Sequence, residues 1–139
     1  MEEIDKIKAA AAEVIQKLRL VSKIDFGYAK ESVLWLEGYI ERLRKNGSFE
    51  KSKENFVGLF GSFLGECIIQ CYGGKWEKRE GAYVVAFDDQ NWLLPFERVR
   101  KQWDNGLEDS IGSLFEMIPT IWGKQQNPAP TSKSKWKFW

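Results

Sequence analysis

The chain contains no histidine. That excludes imidazole bases, histidine-containing catalytic triads and histidine-ligated metal sites. Cysteine is nearly as scarce: two residues are too few for a disulfide scaffold. Cys67 and Cys71 lie four apart in an apolar stretch that reads as helix. The spacing puts them on one face, near the upper limit of disulfide reach. Two reduced, buried thiols are expected there, rather than a bridge, a redox pair or a metal pair. No uninterrupted apolar run approaches ~20 residues, so no membrane-spanning helix is expected. Met1-Glu2-Glu3 opens without the basic-then-apolar pattern of a secretory signal, and the expected location is cytoplasmic. Neither charge sign dominates, with 21 Lys plus Arg against 20 Asp plus Glu. A strongly basic nucleic-acid binder is therefore disfavoured, and no specific nucleic-acid partner is expected. Gly73-Gly74 has neither a GKS/GKT sequel nor GxGxxG spacing, and no G-x-S-x-G elbow occurs. Neither a cofactor nor a metal is expected.

What is present is a globular balance, 139 residues with 43% hydrophobic and 29% charged. That supports one domain, here residues 1–123, followed by a flexible basic, aromatic-rich tail over 124–139. The tail holds four lysines and no acid, so taking +4 from the chain's +1 leaves −3 for the body.

Along the body, Ile4, Ile7, Ala11, Val14, Leu18 and Val21 form one helical stripe within residues 2–22. The same stripe fits a short heptad seam, so it can bury itself within the chain or pair between chains. A second helix is predicted over about 30–45, with Val33, Leu36, Ile40 and Leu43 buried and Asn46-Gly47 ending it. Ser48 or Ser52 offers an N-cap for a third helix, about 53–72, the most apolar segment. Its face is Phe56, Phe60, Phe63, Cys67 and Cys71, with Gly58, Ser62 and Gly65 as a small-residue strip. Interior glycines weaken a helix by about 1 kcal/mol each, so close approach by another backbone is expected to offset them.

After Gly73-Gly74 the pattern switches to period two. Lys75–Lys78 and Ala82–Phe87 read as strands joined at Glu80-Gly81, with a third at Gln90–Leu94. Trp76 should face inward, with either Val84 and Ala86 or Tyr83 and Val85. Pro95 opens a helix through Trp103. Asp109 or Ser110 begins a last one, which Pro119 should end or kink. The fold class is α+β: three N-terminal helices on a three-stranded antiparallel meander, then one or two short C-terminal helices.

Few constellations carry chemistry. Glu66 lies inside Phe63-Leu64-Gly65-Glu66-Cys67-Ile68-Ile69. A carboxylate in such company needs a partner or a proton. It is the one candidate general acid or base. The structural alternative is an ion pair with Arg98 or Arg100, or a hydrogen bond from a Trp indole. Asp88-Asp89 and the Asp104–Asp109 loop lack calcium-loop spacing, and turn chemistry and helix capping account for them. The seven tryptophans are not all expected to be fully buried, and an exposed cluster of Trp and Tyr would be a candidate protein-binding patch; the alternative is that Trp35, Trp76 and Trp103 complete a small core. The tail alternates Lys133, Lys135 and Lys137 with Trp136, Phe138 and Trp139. That pattern suits a partner-protein groove, an anionic membrane surface or single-stranded nucleic acid.

Between Phe56 and Ile118 the chain resembles a family of small bacterial domains without an established activity. The pattern is Leu64-Gly65-Glu66, Gly73-Gly74-x-Trp76, Leu94-Pro95-Phe96-x-x-Val99, Asn105-Gly106 and Asp109-Ser110. It covers about half of the chain, and it implies, faintly, a role in bacterial conflict or envelope systems. Taken with the tail, the leading expectation is a non-enzymatic protein-interaction module, an adaptor or immunity-like inhibitor. The alternatives are a small enzyme built on Glu66 and tail-mediated binding to an anionic membrane.

Overall fold

The computed structural model describes residues 2–125. Five helices and one sheet follow in the order α1 (Glu2–Ser22), α2 (Lys30–Lys45), α3 (Lys53–Tyr72), β1 (Lys75–Arg79), β2 (Ala82–Ala86), β3 (Trp92–Leu93), α4 (Pro95–Asn105) and α5 (Ile111–Gln125). The class is α+β, with the three strands in antiparallel order β1-β2-β3. No helix among the described residues is long and apolar enough to cross a membrane.

The largely apolar helix α3 is the hub. It packs against both α1 and α4, while α2 and α5 pair beside it. Phe60, Phe63, Leu64, Cys67 and Ile68 are buried along α3. The α1 stripe turns inward within the chain, with Ile7, Ala11, Val14 and Leu18 buried and only Val21 left exposed. Burying four such side chains contributes several kcal/mol, at about 25 cal/mol per Å² of apolar surface.

Two glycines in α3 have a packing reason: at Gly61 both the backbone and the ring of Phe96 approach closely, as expected of an interior glycine, whereas at Gly65 the close neighbour is a side chain. A Cβ at Gly65 would overlap the outer ring carbons Cη2 and Cζ2 of Trp76, and one at Gly61 would overlap Phe96. At Gly65 the intruder is an indole ring. Gly58 faces open space, so the small-residue strip is not a single seam. Gly73 and Gly74 then take φ of 96° and 95°, a left-handed pair that turns α3 sharply into β1. Glu80 and Gly81, at φ 53° and 84°, make the tight hairpin turn.

The register resolves which sheet face is inner. Trp76 lies opposite Val85, and Lys78 opposite Tyr83, so Tyr83 and Val85 share the Trp76 side. On the other face the Arg79 guanidinium sits 4.4 Å from the Trp92 ring centroid and donates to Glu77 at 2.7 Å. Val84 and Ala86 share that face and are buried.

Helix starts differ in detail from expectation. Ser52 makes no side-chain cap; α3 grows out of a 3₁₀ turn, Gly47–Ser52, capped by Asn46 accepting from Ser48 N–H. Ser110, not Asp109, caps α5, its Oγ accepting from Ser113 N–H at 3.0 Å. Asp109 instead accepts from Asn105 Nδ2 at 2.7 Å. Nor does Pro119 end α5, which continues to Gln125, past the boundary expected at 123. The proline ring removes one N–H, so the Phe115 carbonyl loses its helical donor. Pro119 is exposed, so Pro119→Ala should raise stability by about 1–2 kcal/mol, read as a higher midpoint in urea unfolding.

Candidate functional site

Of the residues singled out in the sequence, Glu66 lies in the best-defined polar site. α3 carries it into the core at 6% exposure, where its Oε2 accepts from Trp76 Nε1 at 2.8 Å. The partner is the indole, not an arginine. Arg100 pairs with Glu54 and Glu97 at 2.7 and 2.6 Å. Arg98 donates to the Ser110 carbonyl at 3.0 Å. Gly65 and Glu66 thus serve Trp76 jointly: one clears space for its ring and the next accepts its N–H. Phe96 meets the same indole at 5.8 Å between centroids.

Glu66 also faces a cavity of about 320 Å³ between the start of α1, the end of α3 and the start of β1. Lys8, Gln70 and Lys75 line it with Ile4 and Trp76. Tyr28 lies near enough that its phenol pKa is raised, first by burial and then by the Glu66 and Cys67 charges. No hydrogen bond joins Tyr28 to Glu66 among the described residues. The site therefore offers one buried carboxylate with no acid or base in hydrogen-bond reach.

The cysteines divide. Cys67 is buried and Cys71 exposed, so the expectation of two buried thiols fails at Cys71. Burial pushes the Cys67 thiol pKa upward, which makes it a poor nucleophile. Cys71 donates weakly to the Tyr28 carbonyl at 3.6 Å. Asp88 acts as turn chemistry predicts, with Oδ1 accepting from the N–H groups of Gln90 and Asn91 at 2.8 Å each. Asp104 pairs with Lys53 at 2.8 Å.

A second feature had no sequence signal. The last turns of α1, the middle of α2 and the start of α3 converge on an apolar groove of about 170 Å³. Val14, Leu18, Val21, Tyr39, Phe56 and Leu59 line it. Val21 is 54% exposed and neighbouring Leu20 81%, so the apolar surface spreads beyond the groove. On its α2 side Trp35 and Tyr39 stack at 5.1 Å, one helical turn apart. The Arg42 guanidinium lies over both rings, at 5.6 and 5.5 Å. Arg42 forms no ion pair among the described residues. Trp35 is half-buried in this ladder, whereas Trp76 and Trp103 are buried in the core.

The tail residues Lys133, Lys135, Trp136, Lys137, Phe138 and Trp139 lie outside the described residues. No family model matches the chain, and no curated protein or solved structure gives a significant match.

Proposed function

We propose that the chain is a non-enzymatic protein-interaction module, an adaptor or immunity-like inhibitor, whose body docks an amphipathic helix bearing acidic residues. The observation that carries this reading is the apolar groove bordered by the Trp35–Tyr39–Arg42 ladder. At about 170 Å³ it is too small for an ordinary small-molecule pocket, but it suits anchoring side chains. Helical partners present such anchors at i, i+4 and i+7. Aromatic residues and arginine are the types that dominate interface energetics. Arg42, a cation without a carboxylate partner among the described residues, selects an acidic flank on the partner. The chain's own tail has the wrong sign for Arg42, since its lysines would face that cation; Lys17 on the same groove is already paired with Glu13 at 3.2 Å. In this reading the tail instead contributes a second contact to the same partner, or to an anionic membrane, and the two sites gain by linkage.

Random-peptide display on the full-length protein tests the proposal. Enriched peptides should carry apolar residues at helical spacing beside Asp or Glu. They should lose binding to a folded Leu59→Arg variant, and to Arg42→Glu. Enrichment of basic peptides, or equal binding to Leu59→Arg, would overturn the reading. So would concentration-dependent dimerisation abolished by Leu59→Arg, because the groove would then belong to a second copy.

A further inference from the structure

The cavity at Glu66 is a different place from the groove, and it poses a different problem. Glu66 is 94% removed from solvent, because its exposure is 6%. An ionised carboxylate has about four acceptor positions. Here a single neutral donor, Trp76 Nε1, occupies one oxygen. No donor within the described residues reaches the other oxygen, and no cation stands within ion-pair distance. Yet that carboxylate lines a cavity of about 320 Å³, within the range of small-ligand sites. The second oxygen keeps contact with the solvent of this cavity, where a cationic donor can displace water from it.

The rest of the lining says what the ligand should be. Two lysines, the exposed Lys8 on α1 and Lys75 at the start of β1, border the same space as Glu66, so their ammonium groups can swing to its mouth. Lys8 makes no ion pair among the described residues, and Lys75 has only a 3.7 Å contact to Glu77. The cavity thus has a buried negative group and positive groups carried by two other elements. Gln70 adds an amide that can donate or accept, and Ile4 with the Trp76 ring supplies an apolar wall. A divalent metal does not suit this set, since no cluster of three or more acidic or thiol ligands occurs among the described residues.

We infer that this cavity binds a small zwitterion of the α-amino-acid class. Its ammonium sits on the free oxygen of Glu66, its carboxylate on Lys8 and Lys75, and its side chain against Ile4 and Trp76. The binding couples to the fold because Trp76 is held by Glu66 on one side and roofs the cavity on the other.

The Trp76 indole N–H gives a reporter that other tryptophans do not share. Its nitrogen–proton cross-peak, assigned by loss in Trp76→Phe, is followed while each of the free L-amino acids is titrated to millimolar concentration. At least one should shift the peak saturably, and its N-acetylated form, lacking the ammonium, should not. Glu66→Gln keeps an oxygen for the indole and removes the charge. It should weaken binding about tenfold or more while the protein stays folded. Lys8→Met, at an exposed position on a different helix from the core hydrogen bond, should weaken binding as well. Absence of any saturable shift overturns the inference, as does equal binding by the N-acetylated form or by Glu66→Gln.

Discussion

Gly65→Ala should destabilise the protein by about 3 kcal/mol, a fall in Tm of roughly 10 °C for a domain of this size. On an isolated helix the same change would stabilise by about 1 kcal/mol, so the sign is set by tertiary packing. The added methyl would overlap the six-membered ring of Trp76. That ring has nowhere to withdraw. Its N–H is fixed on Glu66 at 2.8 Å, Phe96 packs at 5.8 Å, and the strand that carries it is paired opposite Val85. The test is a double-mutant cycle with Trp76→Phe, whose smaller ring lacks the outer carbons that fill the space. Trp76→Phe alone costs stability through the vacated volume and the orphaned carboxylate. In that background, however, Gly65→Ala should cost little, or stabilise. Coupling of about 2 kcal/mol or more between the two positions is expected from urea unfolding. Equal costs in both backgrounds would show that the indole is not what excludes the methyl.

This contact shows what a single sequence reveals and what it withholds. The α2 stripe of Val33, Leu36, Ile40 and Leu43 is buried as its period required, and the turn at Glu80-Gly81 lies where the change to period two put it. These features are local, and local spacing carries them. The carboxylate at position 66 was visible as an anomaly in an apolar run, but its partner was one of three possibilities, because pairing across a turn is a tertiary fact. The glycine beside it was read as a site of backbone approach, yet the space it leaves is taken by a ring. The groove was not legible at all. Its walls come from α1, α2 and α3, each contributing residues that look like ordinary members of a buried stripe. What leaves Val21 and Tyr39 partly open where Ala11 and Leu36 are buried is the packing of the neighbouring helices, which spacing along one helix does not encode.

Gln102 was equally silent in the sequence, and Gln102→Leu should cost about 3 kcal/mol. Its side chain is fully buried where α2, α4 and α5 meet. Nε2 donates to the Glu37 carbonyl at 3.0 Å and to the Glu41 carboxylate at 2.9 Å. Oε1 accepts from Ile111 N–H at 3.0 Å, one of the donors a helix N-terminus leaves without a partner. Beside it, Glu37 accepts from Gly112 N–H at 3.1 Å and Ser110 from Ser113 N–H at 3.0 Å. The start of α5 is thus capped by three side chains from three places in the chain. Leucine preserves the volume, removes the acceptor from a buried N–H and takes a donor from a carboxylate. A second substitution separates lost hydrogen bonding from lost packing. Gln102→Glu retains an acceptor for Ile111 but brings a buried carboxyl against Glu41 and a carbonyl. Burial and the neighbouring charge raise the folded-state pKa of the new group above its unfolded value. The folded state then holds a proton that the unfolded state has released, so stability falls as pH rises from the unfolded to the folded pKa. Gln102→Glu should therefore approach the wild type in mildly acid solution and fall away from it toward neutral pH, whereas the deficit of Gln102→Leu should not grow over that interval. Parallel stability-versus-pH curves for the two variants would mean that side-chain volume, and not the hydrogen-bonded cap on α5, is what position 102 supplies.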